Sequence, residues 1–191
     1  MNAIVKETQT SKDFDQLRTG SRVGRRAESL ADRIEEGAAD LAAFAEELSE
    51  KEWRTPVSDT DRRSVGVIVH HVASMYPIEI DVARAIANGK AVTDVTWSAV
   101  AEINAKHADE HAQETKTSAL ELLRRNSHEA ANAVRKLTDE ELDRAAPFSL
   151  SFGAPVTAQF VIEDHAVRHS WHHLAHIQTA LKPDVLTRGS L

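Results

Sequence analysis

Residues 64–90, SVGVIVHHVASMYPIEIDVARAIANGK, read as one long helix with two histidines in its apolar middle. Val65, Ile68, Val72, Met75, Ile80, Val82 and Ile86 supply its apolar part. Asp61 or Ser64 can cap its start. Pro77 removes a backbone donor, so a kink or a new turn is expected there. Asn88-Gly89 is a helix-ending pair.

Working outward, residues 23–49 form a first helix in which Leu30, Ile34, Leu41, Phe44, Ala45 and Leu48 recur at helical spacing. Trp53, Thr55 and Pro56 mark the break after it. On the other side, TDVTWSAVAEINAKHADEHAQ (93–113) starts extended and becomes a short polar helix over 98–111. A third long helix spans 117–137, with Thr117 or Ser118 as its cap, and Thr138 with Glu141 caps one more turn. AAPFSLSFGAP (145–155) breaks the helical pattern and suits a short hairpin or an extended loop. The last helix runs over 157–182 and Pro183 stops it. Four long helices with a long connection between the second and third predict an all-α four-helix bundle with a crossover. The bundle domain is placed at 23–182, behind an N-terminal arm (1–22) and before a C-terminal tail (183–191).

Bulk properties narrow the function. A chain of 191 residues with 41% hydrophobic and 28% charged residues has enough material for one self-sufficient core. The net charge of −7 repels phosphate backbones, and the run Arg22, Arg25, Arg26 is too short to reverse that, so no nucleic-acid partner is expected. The absence of cysteine excludes disulfides, thiolate zinc sites and a cysteine nucleophile. No apolar run reaches membrane-spanning length, and the first residues lack a secretory h-region. The expectation is a cytoplasmic protein with no membrane partner.

Ten histidines carry the chemistry, five of them in DHAVRHSWHHLAHIQ (164–178). At about 100° per residue, His165, His169, His172, His173 and His176 fall within an arc of roughly 100°. Imidazoles four residues apart on one helix can share an ion at about 2.0–2.1 Å per bond. Spacing leaves the pair open, because 165/169, 169/173, 172/176 and 107/111 all qualify. Two ligands rarely complete a site, and His70 or His71 is the natural third, since a histidine in IVHHVA is costly to bury unsatisfied. Neighbours lie about 100° apart, so one of each adjacent pair faces inward. Asp164 and Glu163 stand near the stripe as acids that could orient ligands. Trp97, Trp171 and Tyr76 are read as core packing, with the lining of a pocket as the other use open to each.

Trp53, then SVGVIVHHVASM, then HSWHHLAHIQTAL is a pattern that resembles the DinB/YfiT-like metal-binding superfamily over about residues 25–182. INAKHADEHA and LELLRRNSHEAANAVRKL are similar to that family's middle segments. The resemblance implies a metal triad of His71, from HHVA, with His169 and His173, from the H-x3-H before LAHIQ. His176 departs from the pattern, where Gln or another polar residue is the norm. His70, His165, His172, His176 and Asp164 remain as possible outer-shell groups, with His70 and His165 also available as a fourth ligand.

Three neutral imidazoles leave a divalent ion, zinc or nickel foremost, with an open position that polarises water or binds a thiolate. No Glu-x-x-His, HExxH or GxSxG motif directs the chemistry elsewhere. The resemblance implies a thiol-cofactor S-transferase, with maleylpyruvate-type isomerases and hydrolases as kin. The cofactor would then be a low-molecular-weight thiol, the partner a small molecule, and the assembly a homodimer. The competing expectation is a metal-binding stress or interaction protein without turnover.

Overall fold

The computed structural model describes residues 24–182, so the arm at 1–22 and the tail at 183–191 lie outside the described residues. Its first helix, α1 (Arg25–Glu47), buries an alanine-rich face that includes Leu30, Ile34 and Leu41. Leu48 then leaves helical geometry, and Ser49 opens a four-residue helix α2 (Glu50–Trp53) through a reciprocal capping box with Glu52. Ser64 caps α3 (Val65–Ala87) by accepting from the Val67 N–H. The end of α3 is a Schellman motif. Gly89 sits at φ 72°, its N–H bonds the Ile86 carbonyl, and the Lys90 N–H bonds that of Ala85.

Pro77 lies inside α3 without ending it. A proline at this position cannot donate to the carbonyl of Ala73 four residues earlier. The side-chain amide of Asn126 fills the gap, donating to the Ala73 carbonyl at 2.8 Å from the neighbouring helix, with Asn126 itself buried. Asn126→Ala should therefore cost about 1–3 kcal/mol, the usual penalty of a buried unpaired carbonyl. In urea unfolding, the loss should shrink when Pro77→Ala restores a donor to Ala73. Equal losses in the two backgrounds would mean that the amide is not compensating for the proline.

The crossover contains α4 (Trp97–Glu110), capped by Thr96, one residue ahead of its expected start. α5 (Lys116–Val134) is capped by Thr115 rather than Thr117 or Ser118, and it ends at Val134 instead of Leu137. The short α6 (Asp139–Asp143) has the Thr138–Glu141 capping box read from the sequence. β1 (Ala145–Pro147) and β2 (Pro155–Thr157) pair antiparallel, Ala146 opposite Val156, as the hairpin reading expected. A backbone bridge from Val92 to Phe148 ties the crossover to this hairpin.

The final helix is not one uniform α-helix. Thr157 caps α7 (Ala158–Val161), a π-helical turn occupies Ile162–Val167, and α8 (Arg168–Leu181) follows. Around the bundle, α1 and α3 each pack against α5 and against α8. The first two long helices are thus diagonal rather than adjacent, which the crossover makes possible. No helix among the described residues is long and apolar enough to cross a membrane.

Candidate metal centre

Two facing helices assemble the site. His71 projects from the middle of α3, and His169 and His173 from successive turns of α8. One ligand atom from each of the three rings lies within 4.8 Å of the others. The His71 ring meets those of His169 and His173 edge-on, with centroids 5.1 and 5.6 Å away, and the latter two are 4.8 Å apart. His71 and His173 are buried and His169 is half-buried. Nearby, the Tyr76 hydroxyl and Ser170 Oγ are 2.7 Å apart in the core, fixing α3 against α8.

Glu79 was not anticipated. It is buried, and its Oε1 lies 2.7 Å from His169 Nδ1, while its Oε2 has no hydrogen-bond partner. The Nδ1–Oε1 contact is close but lacks hydrogen-bond alignment, and buried Nδ1 of His173 is likewise unpartnered. A signal was available: His71, Met75 and Glu79 follow at four-residue steps, and all three line one cavity. A buried acid on the stripe of a candidate ligand marks a group able to orient it.

Beside the three rings opens a cavity of about 440 Å³. Its apolar wall includes Ile78, Val82, Val95, Trp97, Val100 and Ile103, and Arg63 and Arg168 supply charge. Trp97 is 59% exposed and lines this cavity, so it is not a core residue. Trp171 lies over Gly37, where a Cβ would be 2.8 Å from the indole nitrogen, and Tyr76 is fully buried.

The other sequence candidates separate. His70 turns away from the trio toward His107 and His111, with which it forms a second group of converging nitrogens. His172 touches the His173 ring edge-on at 5.1 Å and reaches the cavity. His165 lines the cavity with its ring against Phe148, at 5.9 Å. Asp164 also lines it, but pairs with Arg168 at 3.3 Å. His176 is outside the cavity, its ring 6.5 Å from that of His172. The five histidines do not share one stripe: His165 falls in the π turn, which breaks α periodicity, and 172/176 follow a track beside 169/173.

Burial, reinforced by the charge of His169, pushes the His71 pKa down to about 3. Burial and the same neighbour push His173 down to about 2. Both rings are therefore neutral near pH 7, the form that can donate a lone pair to a cation. Their unfolded values lie near 6.5, so between the two limits the unfolded chain binds more protons. Stability of the metal-free protein is then full above about pH 6.5 and falls as the pH drops toward 3, by about 1.4 kcal/mol per unit for each ring. Urea titrations of metal-free protein from pH 7 to 4.5 check this. A flat profile would show that these rings are not desolvated.

Comparison with known proteins agrees with the architecture. Residues 33–177 match the model of the DinB superfamily. No curated protein matches the chain. A solved structure of YfiT from Bacillus subtilis, described as a probable metal-dependent hydrolase with an unusual four-helix bundle topology, superposes with a TM-score of 0.64 at 22% identity, covering 81% of this chain and 85% of that one. The matched segment runs through all four bundle helices, and on that basis the chain belongs to the DinB superfamily.

Proposed function

We propose that this protein is a metal-dependent enzyme whose divalent ion is held by His71, His169 and His173 and whose small-molecule substrate occupies the adjoining cavity. The observation carrying this reading is the convergence of three imidazoles from two helices, within 4.8 Å, at the wall of a 440 Å³ space. The donor set fits: the His71 and His173 rings are neutral near pH 7, and the unpartnered buried Nδ1 of His173 marks a polar need in this wall. An ion held by three neutral ligands keeps its full charge and acidifies whatever water or thiol takes an open position.

The chain's own groups have distinct roles. Glu79 holds the His169 ring from behind, fixing which nitrogen faces the ion. The Tyr76–Ser170 pair keeps the two ligand helices in register. The apolar wall from α4 accepts the body of the substrate and excludes water from it. Zinc or nickel suits the imidazole set.

Within this class we favour S-transfer from a low-molecular-weight thiol, because the cavity is far larger than a water requires and its wall is mainly apolar, with the Arg63 and Arg168 of its lining paired to Asp61 and Asp164. A second reading is hydrolysis, favoured by the free Oε2 of buried Glu79, a carboxylate able to take a proton from water. The test is metal-loaded protein with glutathione, bacillithiol or mycothiol and a model electrophile, alongside ester and amide substrates. Metal-dependent turnover only with thiol supports transfer, and turnover without thiol supports hydrolysis. Loss of neither substrate in any combination would leave a metal-binding protein without turnover. Glu79→Gln should weaken ion affinity about 10–100-fold, read by competition with a chromogenic chelator. Unchanged affinity would remove Glu79 from the ligand-orienting role.

A further inference from the structure

The crossover helix α4 is anchored in an unusual way. None of its residues is buried, and Trp97 and Ile103 are more than half exposed, so burial of apolar surface does little to hold it. Yet it forms one wall of the cavity. Its C-terminal end carries His107 and His111, one turn apart, and both rings meet His70 of α3. Ring centroids are 5.0 Å for His70–His107, 3.9 Å for His70–His111 and 4.7 Å for His107–His111. One nitrogen from each lies within 4.8 Å of the others.

A carboxylate stands beside the group. Glu114 Oε2 is 3.1 Å from His111 Nδ1 and 3.8 Å from His70 Nε2. The Glu114 main chain is itself fixed, since its carbonyl accepts from the buried Trp53 indole at 3.1 Å. His70 Nδ1 and His107 Nε2 are only 2.9 Å apart, while the buried His107 Nδ1 has no partner. Three converging imidazoles are a sufficient protein set for a divalent ion, and the carboxylate bonded to His111 can orient that ligand.

We propose that His70, His107 and His111 form a second divalent-cation site, with Glu114 orienting His111, that fastens the crossover helix to α3 as a wall of the cavity. The set shares no ligand with the His71 trio, although the His71 and His107 rings touch edge-on at 5.5 Å. Consecutive residues His70 and His71 thus serve two different ions from neighbouring faces of α3. The proposal goes beyond the functional reading above and does not depend on it.

The experiment is zinc stoichiometry on the full untagged chain, by elemental analysis after dialysis against a weak chelator. The wild type is expected to hold two equivalents. The double variant His107→Ala/His111→Ala should hold one, with circular dichroism unchanged outside the loss of one short helix and faster deuterium exchange across 97–111. His169→Ala/His173→Ala should also hold one, without that change in exchange. The milder Glu114→Gln should weaken the second equivalent at least tenfold and leave the first intact. One wild-type equivalent that survives in His107→Ala/His111→Ala and is lost in His169→Ala/His173→Ala overturns this proposal and leaves the His71 trio standing. One equivalent with the reverse pattern upholds it and removes the trio instead.

Discussion

His173→Ala is expected to abolish stoichiometric ion binding at the trio. Zinc sites in small domains contribute about 10–16 kcal/mol over four ligands, roughly 3–4 kcal/mol each, so losing one should weaken affinity about 10²–10³-fold. Any metal-dependent activity should fall with it. The same substitution should change the stability of metal-free protein far less than a typical core truncation. It removes a buried nitrogen that has no hydrogen-bond partner, which offsets part of the packing loss. His172→Ala is the control: its ring is exposed and outside the converging group, so it should keep full stoichiometry. Isothermal titration with zinc reads both. Equal affinities for His173→Ala and wild type would mean the rings converge without binding.

The largest effect on stability is expected from Gly66→Ala. Glycine to alanine near an exposed helix start ordinarily adds about 1 kcal/mol of stability. Here the added Cβ would stand 2.4 and 2.5 Å from two atoms of the Trp53 indole. The ring cannot retreat easily, being fully buried and bonded to the Glu114 carbonyl. Overpacking of about 1–3 kcal/mol, added to a disrupted buried hydrogen bond, gives a loss of about 3–5 kcal/mol. The sign is therefore opposite to helix propensity. Thermal unfolding decides it, and a stabilised variant would show that the indole does not press on α3.

Much of the architecture was legible because it rests on local signals. Ser64, Thr138 with Glu141, and Asn88-Gly89 are caps whose chemistry is written in adjacent residues. The hairpin at 145–157 was readable from its prolines and glycine for the same reason. Features that depend on partners far along the chain were not. Nothing near Pro77 announces that Asn126 will supply the missing donor, so a kink or new turn was expected where α3 runs through. The π turn at Ile162–Val167 also escaped notice, because it has no distinctive composition, and it undid the single stripe drawn for five histidines.

The site divides along the same line. Residue spacing left several histidine pairs open, and family resemblance chose His71, His169 and His173, the three the fold brings together. Spacing placed His107/His111 among those open pairs but did not say that His70 would turn toward them, since helix phase alone does not say which neighbour packs on which side. Glu79 lay on the His71 stripe four-residue step by step, and an acid in an apolar run was the overlooked clue.

Anomalous diffraction at the zinc edge, on crystals of untagged protein grown with zinc, tests the central assignment most directly. The expected map has a peak about 2.0–2.1 Å from one nitrogen each of His71, His169 and His173. A zinc peak bound by no more than one of these rings, or saturating zinc with no density between α3 and α8, would contradict it.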